Sequence, residues 1–97
     1  MAAMLFMVVE RFREPGAAAV YARARERGRM MPDGLQYVDS WVDASFGRCF
    51  QLMACDDLSL LMAWIGRWSD LVDFEVVPVV TSAEAARVAA PTDEPAH

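Results

Sequence analysis

Residues Met4 to Val9 read MLFMVV, apolar at every position. Phenylalanine and two valines favour a strand here. In a strand, side chains alternate between faces, so Leu5, Met7 and Val9 share one side and Met4, Phe6 and Val8 the other. A strand apolar on both sides is normally covered on both. The chain has 97 residues, enough for one small domain. The stretch is six residues long, nine with the apolar Met1 to Ala3, whereas a membrane-spanning helix needs about 20. No membrane association is therefore expected.

The elements that follow can be read in order. Pro15 suits a helix start, and Ala17 to Arg29 is rich in alanine and arginine, with strong helix propensity. Met31-Pro32-Asp33-Gly34 ends it. Leu35 to Asp43 alternates as a strand, and Asp43 to Gly47 turns into a second arm, Arg48 to Cys55. Asp56 or Asp57 caps a helix from Leu58 to Ser69, whose stripe is Leu61, Trp64, Ile65 and Trp68. Val72 to Val80 is a last strand, and Pro78 places it at a sheet edge or strand end. Thr81-x-x-Glu84 is a capping box for a short helix from Ser82 to Ala90. The sequence thus predicts a domain over residues 1–82, then a short helix and a disordered tail over 83–97.

The order is βαββαβ, the α+β ferredoxin-like pattern: an antiparallel four-stranded sheet with two helices on one face. Pairing Asp43 with Gly47 sets Trp41 against Cys49, Asp39 against Gln51 and Tyr37 against Met53, all on one face. Val38, Ser40, Val42, Phe50, Leu52 and Ala54 then lie under the helices, with Phe74 and Val76. A bulge at Gly47 would exchange the faces. Two helices leave the other sheet face bare, a patch that monomers seldom tolerate. A second copy, sheet against sheet about a two-fold axis, is the expected cover.

Nine arginines and no lysine against 14 acidic residues leave a net charge of −5. That argues against nucleic acid, whose phosphates need a basic surface. Apolar residues are 56% of the chain, which excludes general disorder. No basic residue precedes Arg11, so no signal peptide is expected. Cys49 and Cys55 lie about 20 Å apart along one strand, too far for a disulfide. They read as buried thiols of a cytoplasmic protein. The one histidine is His97. Ser-His-Asp and Cys-His sets, a zinc site and a proximal haem ligand are all left without their histidine. The glycines form no phosphate loop. No cofactor and no metal are expected.

Four segments carry a resemblance: MLFMVVERF at the start, GLQYVDSWVD at 34–43, RCFQLMACDD at 48–57, and W-x-x-x-W-x-D-L-V-D-F-E-V-V-P-V at 64–79. They resemble an uncharacterised family of small bacterial proteins, a domain of unknown function similar to the dimeric α/β-barrel superfamily. The resemblance implies that fold, a dimer and a place for a pocket. The superfamily includes cofactor-free monooxygenases, muconolactone isomerase-like enzymes, haem-dependent enzymes and proteins without known catalysis, and fold alone does not choose among them.

The face that mixes polar and large side chains is the candidate site. Asp39, between aromatic neighbours on a half-dry sheet, would have a raised pKa and act as acid or base. Tyr37 would donate to a developing oxyanion. Trp41 would stack a planar ligand, with Cys49, Gln51 and Met53 completing the lining. The alternative is that Asp39, Gln51 and Tyr37 satisfy one another, or arginines such as Arg11, across the dimer interface. Glu10 and Arg11 would rim the pocket, and Glu75 would pair with an arginine. Trp64 and Trp68 would pack the core or wall the cleft. Two functions fit: a cofactor-free enzyme using acid–base or oxygenation chemistry on a planar, partly apolar molecule, or a non-catalytic dimeric module binding a metabolite or protein.

Overall fold

The computed structural model describes residues 3–89. The expected tail over 91–97 lies outside them. The elements are β1 (Met4–Phe12), α1 (Ala17–Arg27), β2 (Gln36–Val42), β3 (Arg48–Cys55), α2 (Leu58–Gly66), β4 (Val72–Val79) and α3 (Ser82–Ala89). The strands form one antiparallel sheet in the order β2-β3-β1-β4. This is the ferredoxin-like arrangement, and β4, the strand with Pro78, is an edge. Among the described residues no helix is long and apolar enough to cross a membrane.

Local signals account for the boundaries. Asp57 caps α2, its carboxylate accepting from the Ser59 backbone N–H at 2.9 Å. Thr81 caps α3, accepting from the Glu84 N–H at 3.1 Å. Gly16, with φ of 109°, makes the bend into α1 that a side chain would resist.

The core lies between the helices and one face of the sheet. Phe6 and Val8 of β1, Met53 and Cys55 of β3 and Val72 of β4 form its floor. Val20 of α1, Leu61 and Trp64 of α2, and Trp68 just beyond α2 close it from above. Phe74 and Val76 pack against it as expected. Trp64 meets Phe74 edge to face, ring centroids 5.8 Å apart. Arg23 of α1 ties the layers together. Its guanidinium forks onto Asp70 at 2.7 and 2.6 Å and lies 5.5 Å from the Trp68 ring.

The hairpin register differs from the sequence reading. Asp43 closes the turn with Arg48, not Gly47: its N–H donates to the Arg48 carbonyl at 2.9 Å. Phe46 takes a φ of 62°, and Asp43 accepts from the Ser45 N–H and from Arg48 Nε. The loop therefore absorbs one residue more than predicted. Val42 pairs Cys49, Trp41 pairs Phe50, Ser40 pairs Gln51 and Asp39 pairs Leu52. A bulge between Tyr37 and Asp39 takes the residue back, so Tyr37 does pair Met53.

The consequence is a reversal of β3. Cys49, Gln51 and Met53 point under the helices, while Phe50 and Leu52 point to the bare face with Asp39 and Trp41. Ser40 and Val42 lie on the helix side as expected, joined by Tyr37. The bare face also carries Leu5, Met7 and Val9, flanked by Glu75, Val77 and Val79.

Met53 is wholly buried and Met62 is 64% exposed. Met53→Ala should therefore cost about 2–5 kcal/mol, and Met62→Ala no more than about 0.5 kcal/mol, in urea unfolding. Equal effects would contradict this layering.

Candidate functional site

Two rows of side chains cross the helix side of the sheet near one end. One runs Val42, Cys49, Glu10 and Phe74, and the next Ser40, Gln51, Val8 and Val76. Above them, between the sheet and the helices, lies a cavity of about 210 Å³. Glu10, Cys49, Gln51 and Ser40 line the sheet side. Val20, Tyr21 and Ala24 come from α1, and Trp64 and Trp68 from the α2 region.

Glu10 and Gln51 are the buried polar residues of the described chain. The Gln51 side-chain amide donates to Glu10 Oε2. Gln51 Oε1 is buried and accepts from nothing. Burial disfavours the charged carboxylate and pushes the Glu10 pKa up from its ordinary 4.5 to about 7. The Gln51 hydrogen bond and the nearby positive charge of Arg29 act in the opposite sense and are outweighed. At neutral pH the group is divided between its two forms, the condition for taking or giving a proton. The adjacent Cys49 thiol is pushed up to about 11, by burial first and by the Glu10 charge second. It is not a thiolate nucleophile at neutral pH.

Arg29 stands at the mouth. Its side chain is exposed, with the guanidinium carbon 3.8 Å from the centroid of the Tyr37 ring. Its backbone is held tightly. The indole N–H groups of Trp64 and Trp68 both donate to the Arg29 carbonyl, each at 2.9 Å. Arg67 donates to the next carbonyl, Met30, at 2.6 Å. Met30 itself adopts a φ of 57°. Tyr37 is fixed from the other side, its hydroxyl 2.6 Å from Ser40 Oγ.

The sequence-derived residues are thus divided. Cys49 and Gln51 line the cavity, and Tyr37 supports its mouth through Ser40 and Arg29. Met53 lies one row deeper, in the core. Asp39 and Trp41 are on the opposite face, exposed, with Asp39 accepting from the Ser40 N–H at 2.8 Å. The expected Asp39–Gln51 pairing does not form, because the turn shifts β3 by one residue. Glu10, expected at a rim, is at the floor. Its signal was present in the sequence: it continues the row Phe6, Val8, Glu10 at a spacing of two. Arg29 had no such signal. The tryptophan pair offered an indirect one, since two buried indole N–H groups must find acceptors.

The Glu10 carboxyl also sets a pH dependence. Its folded pKa lies above the unfolded value, so folding favours the proton. The associated stability is complete below about pH 4.5 and is lost as pH rises through about 7. The difference corresponds to about 3 kcal/mol. Urea unfolding between pH 5 and 8 should show wild type weakening as pH rises, with Glu10→Gln removing most of that slope. Parallel profiles for the two proteins would refute it.

No curated protein and no solved structure matches the chain. The sequence pattern of one family does, over residues 4–93. The chain belongs to that family, the domain of unknown function DUF3303.

Proposed function

We propose that this protein binds a small molecule in the cavity between helices and sheet, and that Glu10 is its acid–base group. The observation that carries the reading is the Glu10–Gln51 pair, buried at the floor of a mainly apolar cavity. A carboxyl placed there costs stability at neutral pH, which favours a use for it. In its charged form Glu10 takes a proton from an acidic O–H, N–H or activated C–H of the ligand. In its neutral form it returns one. Gln51 holds the carboxyl in orientation, and Tyr37 positions Arg29 at the mouth.

The same proposal makes the protein a homodimer. Leu5, Met7, Val9, Phe50 and Leu52 form an apolar sheet face that this chain's own helices do not cover. Its border carries both signs of charge: Arg11 lies 3.6 Å from Glu75, and Arg13 2.9 Å from Asp73. A two-fold axis can match such a border to itself. Asp39 and Trp41 then belong to the subunit contact. Two free thiols, Cys49 and Cys55, support a cytoplasmic location.

A non-catalytic binding module is the second reading. It is favoured by the cavity's single group that titrates near neutrality, since Cys49 lies near 11.

Two experiments test these statements. Sedimentation at micromolar concentration should give a dimer, and Leu52→Arg should give a folded monomer; a monomeric wild type would remove the proposed contact. A ligand-observed NMR screen should yield binders, whose exchange of acidic protons with deuterated solvent is then followed by mass spectrometry. Glu10→Gln should bind them within a few-fold yet exchange or convert them at least about a hundredfold more slowly. Binders that wild type neither exchanges nor converts would establish the non-catalytic module instead.

A further inference from the structure

The outward side of α2 is a second surface, separate from the cavity and from the bare sheet face. From Leu58 to Gly66 the helix reads LSLLMAWIG and carries no charged residue. Leu61 and Trp64 are buried on its inner side. Ser59, Met62, Ala63 and Gly66 are exposed on the outer side, with Leu58 at its margin. Leu58 and Met62, one turn apart, are 47% and 64% exposed. A helix that is apolar all round is normally covered all round.

Gly66 adds an independent sign. A Cβ built there would meet nothing within 4 Å. Its backbone is not left-handed either, since the described glycines with positive φ are Gly16, Gly28 and Gly34. Alanine would favour the helix more, so nothing inside the subunit asks for glycine at this position. The missing side chain leaves a hollow on the outer face, which permits close approach from outside.

The charges at the two ends of α2 identify the occupant. Asp56 and Asp57 precede the helix and Arg67 follows it. Among the described residues none of the three has an ion-pair partner within 4 Å. Met62 is midway between Asp57 and Arg67, about 7.5 Å from each along the axis. Two copies of α2 laid antiparallel about a two-fold axis at Met62 bring Asp57 level with the partner's Arg67. The same operation brings Leu58 level with the partner's Gly66, a large side chain against a hollow. A parallel pair would set acid against acid and arginine against arginine. A nine-residue helix alone buries less than the roughly 1,000 Å² of a stable interface, so the contact is weak and concentration-dependent.

We propose that the outer face of α2 is a self-association surface, on which the same helix of a second copy lies antiparallel, with Leu58 of each copy seated against the partner's Gly66.

Sedimentation velocity of the full-length Leu52→Arg chain, from micromolar to near-millimolar concentration, isolates this contact from the sheet face. The chain should be monomeric at the low end and reversibly dimeric at the high end. Adding Gly66→Leu should weaken that association at least about tenfold without lowering stability in urea, whereas general stickiness would be strengthened by the added apolar surface. Under mild oxidation Met62→Cys should form a disulfide-linked dimer. Leu58→Cys should link to Gly66→Cys in a mixture but not to itself, because its own copy lies about 12 Å away along the axis, beyond the reach of about 7 Å between Cα atoms. No association near millimolar, an undiminished association in Gly66→Leu, or self-linking of Leu58→Cys would overturn the proposal. None of these outcomes bears on the sheet-face dimer, which is read from the wild type at micromolar concentration.

Discussion

The hydrogen bond from Gln51 to Glu10 joins neighbouring strands at the one place where the sheet buries a titratable carboxyl. It exists only because β1 and β3 are in phase, with Val8 beside Gln51 and Glu10 beside Cys49. A slip of one residue would send Gln51 to the bare face and leave Glu10 alone under the helices. An isolated buried carboxylate is costly, so the pair stabilises the register while the register creates the pair. The cavity, the proton equilibrium at Glu10 and the unused Gln51 oxygen all descend from this phase.

The architecture was legible because its signals are redundant. Two helices have caps or stops written in their flanks, α2 and the turn after it carry the apolar stripe Leu61, Trp64, Ile65 and Trp68, and β4 carries a proline that only an edge tolerates. The site was less legible because it depends on parity. Every pairing from Asp39 to Val42 turned on whether the loop after Asp43 held three residues or four. That was decided by Phe46 adopting a left-handed conformation and by Asp43 reaching both Ser45 and Arg48. Nothing in the strand residues announces this. Phe50 and Leu52 are as apolar as Cys49 and Met53, so either face of β3 looked suited to the core. Glu10 was the more informative residue, since β1 has no loop ambiguity and its row could be counted directly from Phe6.

Charge at the site is separated rather than neutralised. Glu10 and Arg29 sense one another, yet they do not form an ion pair. Contact would restore the carboxyl to an ordinary acidity and occupy the guanidinium. Keeping them apart leaves a proton acceptor of intermediate strength inside and a free cation outside. The thiol beside the carboxyl is silenced by the same burial that raises the carboxyl. One physical cause, removal of water from the floor, therefore selects which group is available for chemistry.

The Arg29 carbonyl takes two indole hydrogen bonds from the heart of the molecule. This segment is a connection between elements, where chains usually keep their freedom, but here side chains from the α2 region hold two successive carbonyls. Under the proposed binding role, a molecule entering the cavity would meet a backbone already set at the time of folding, and little further ordering of that segment would accompany its capture.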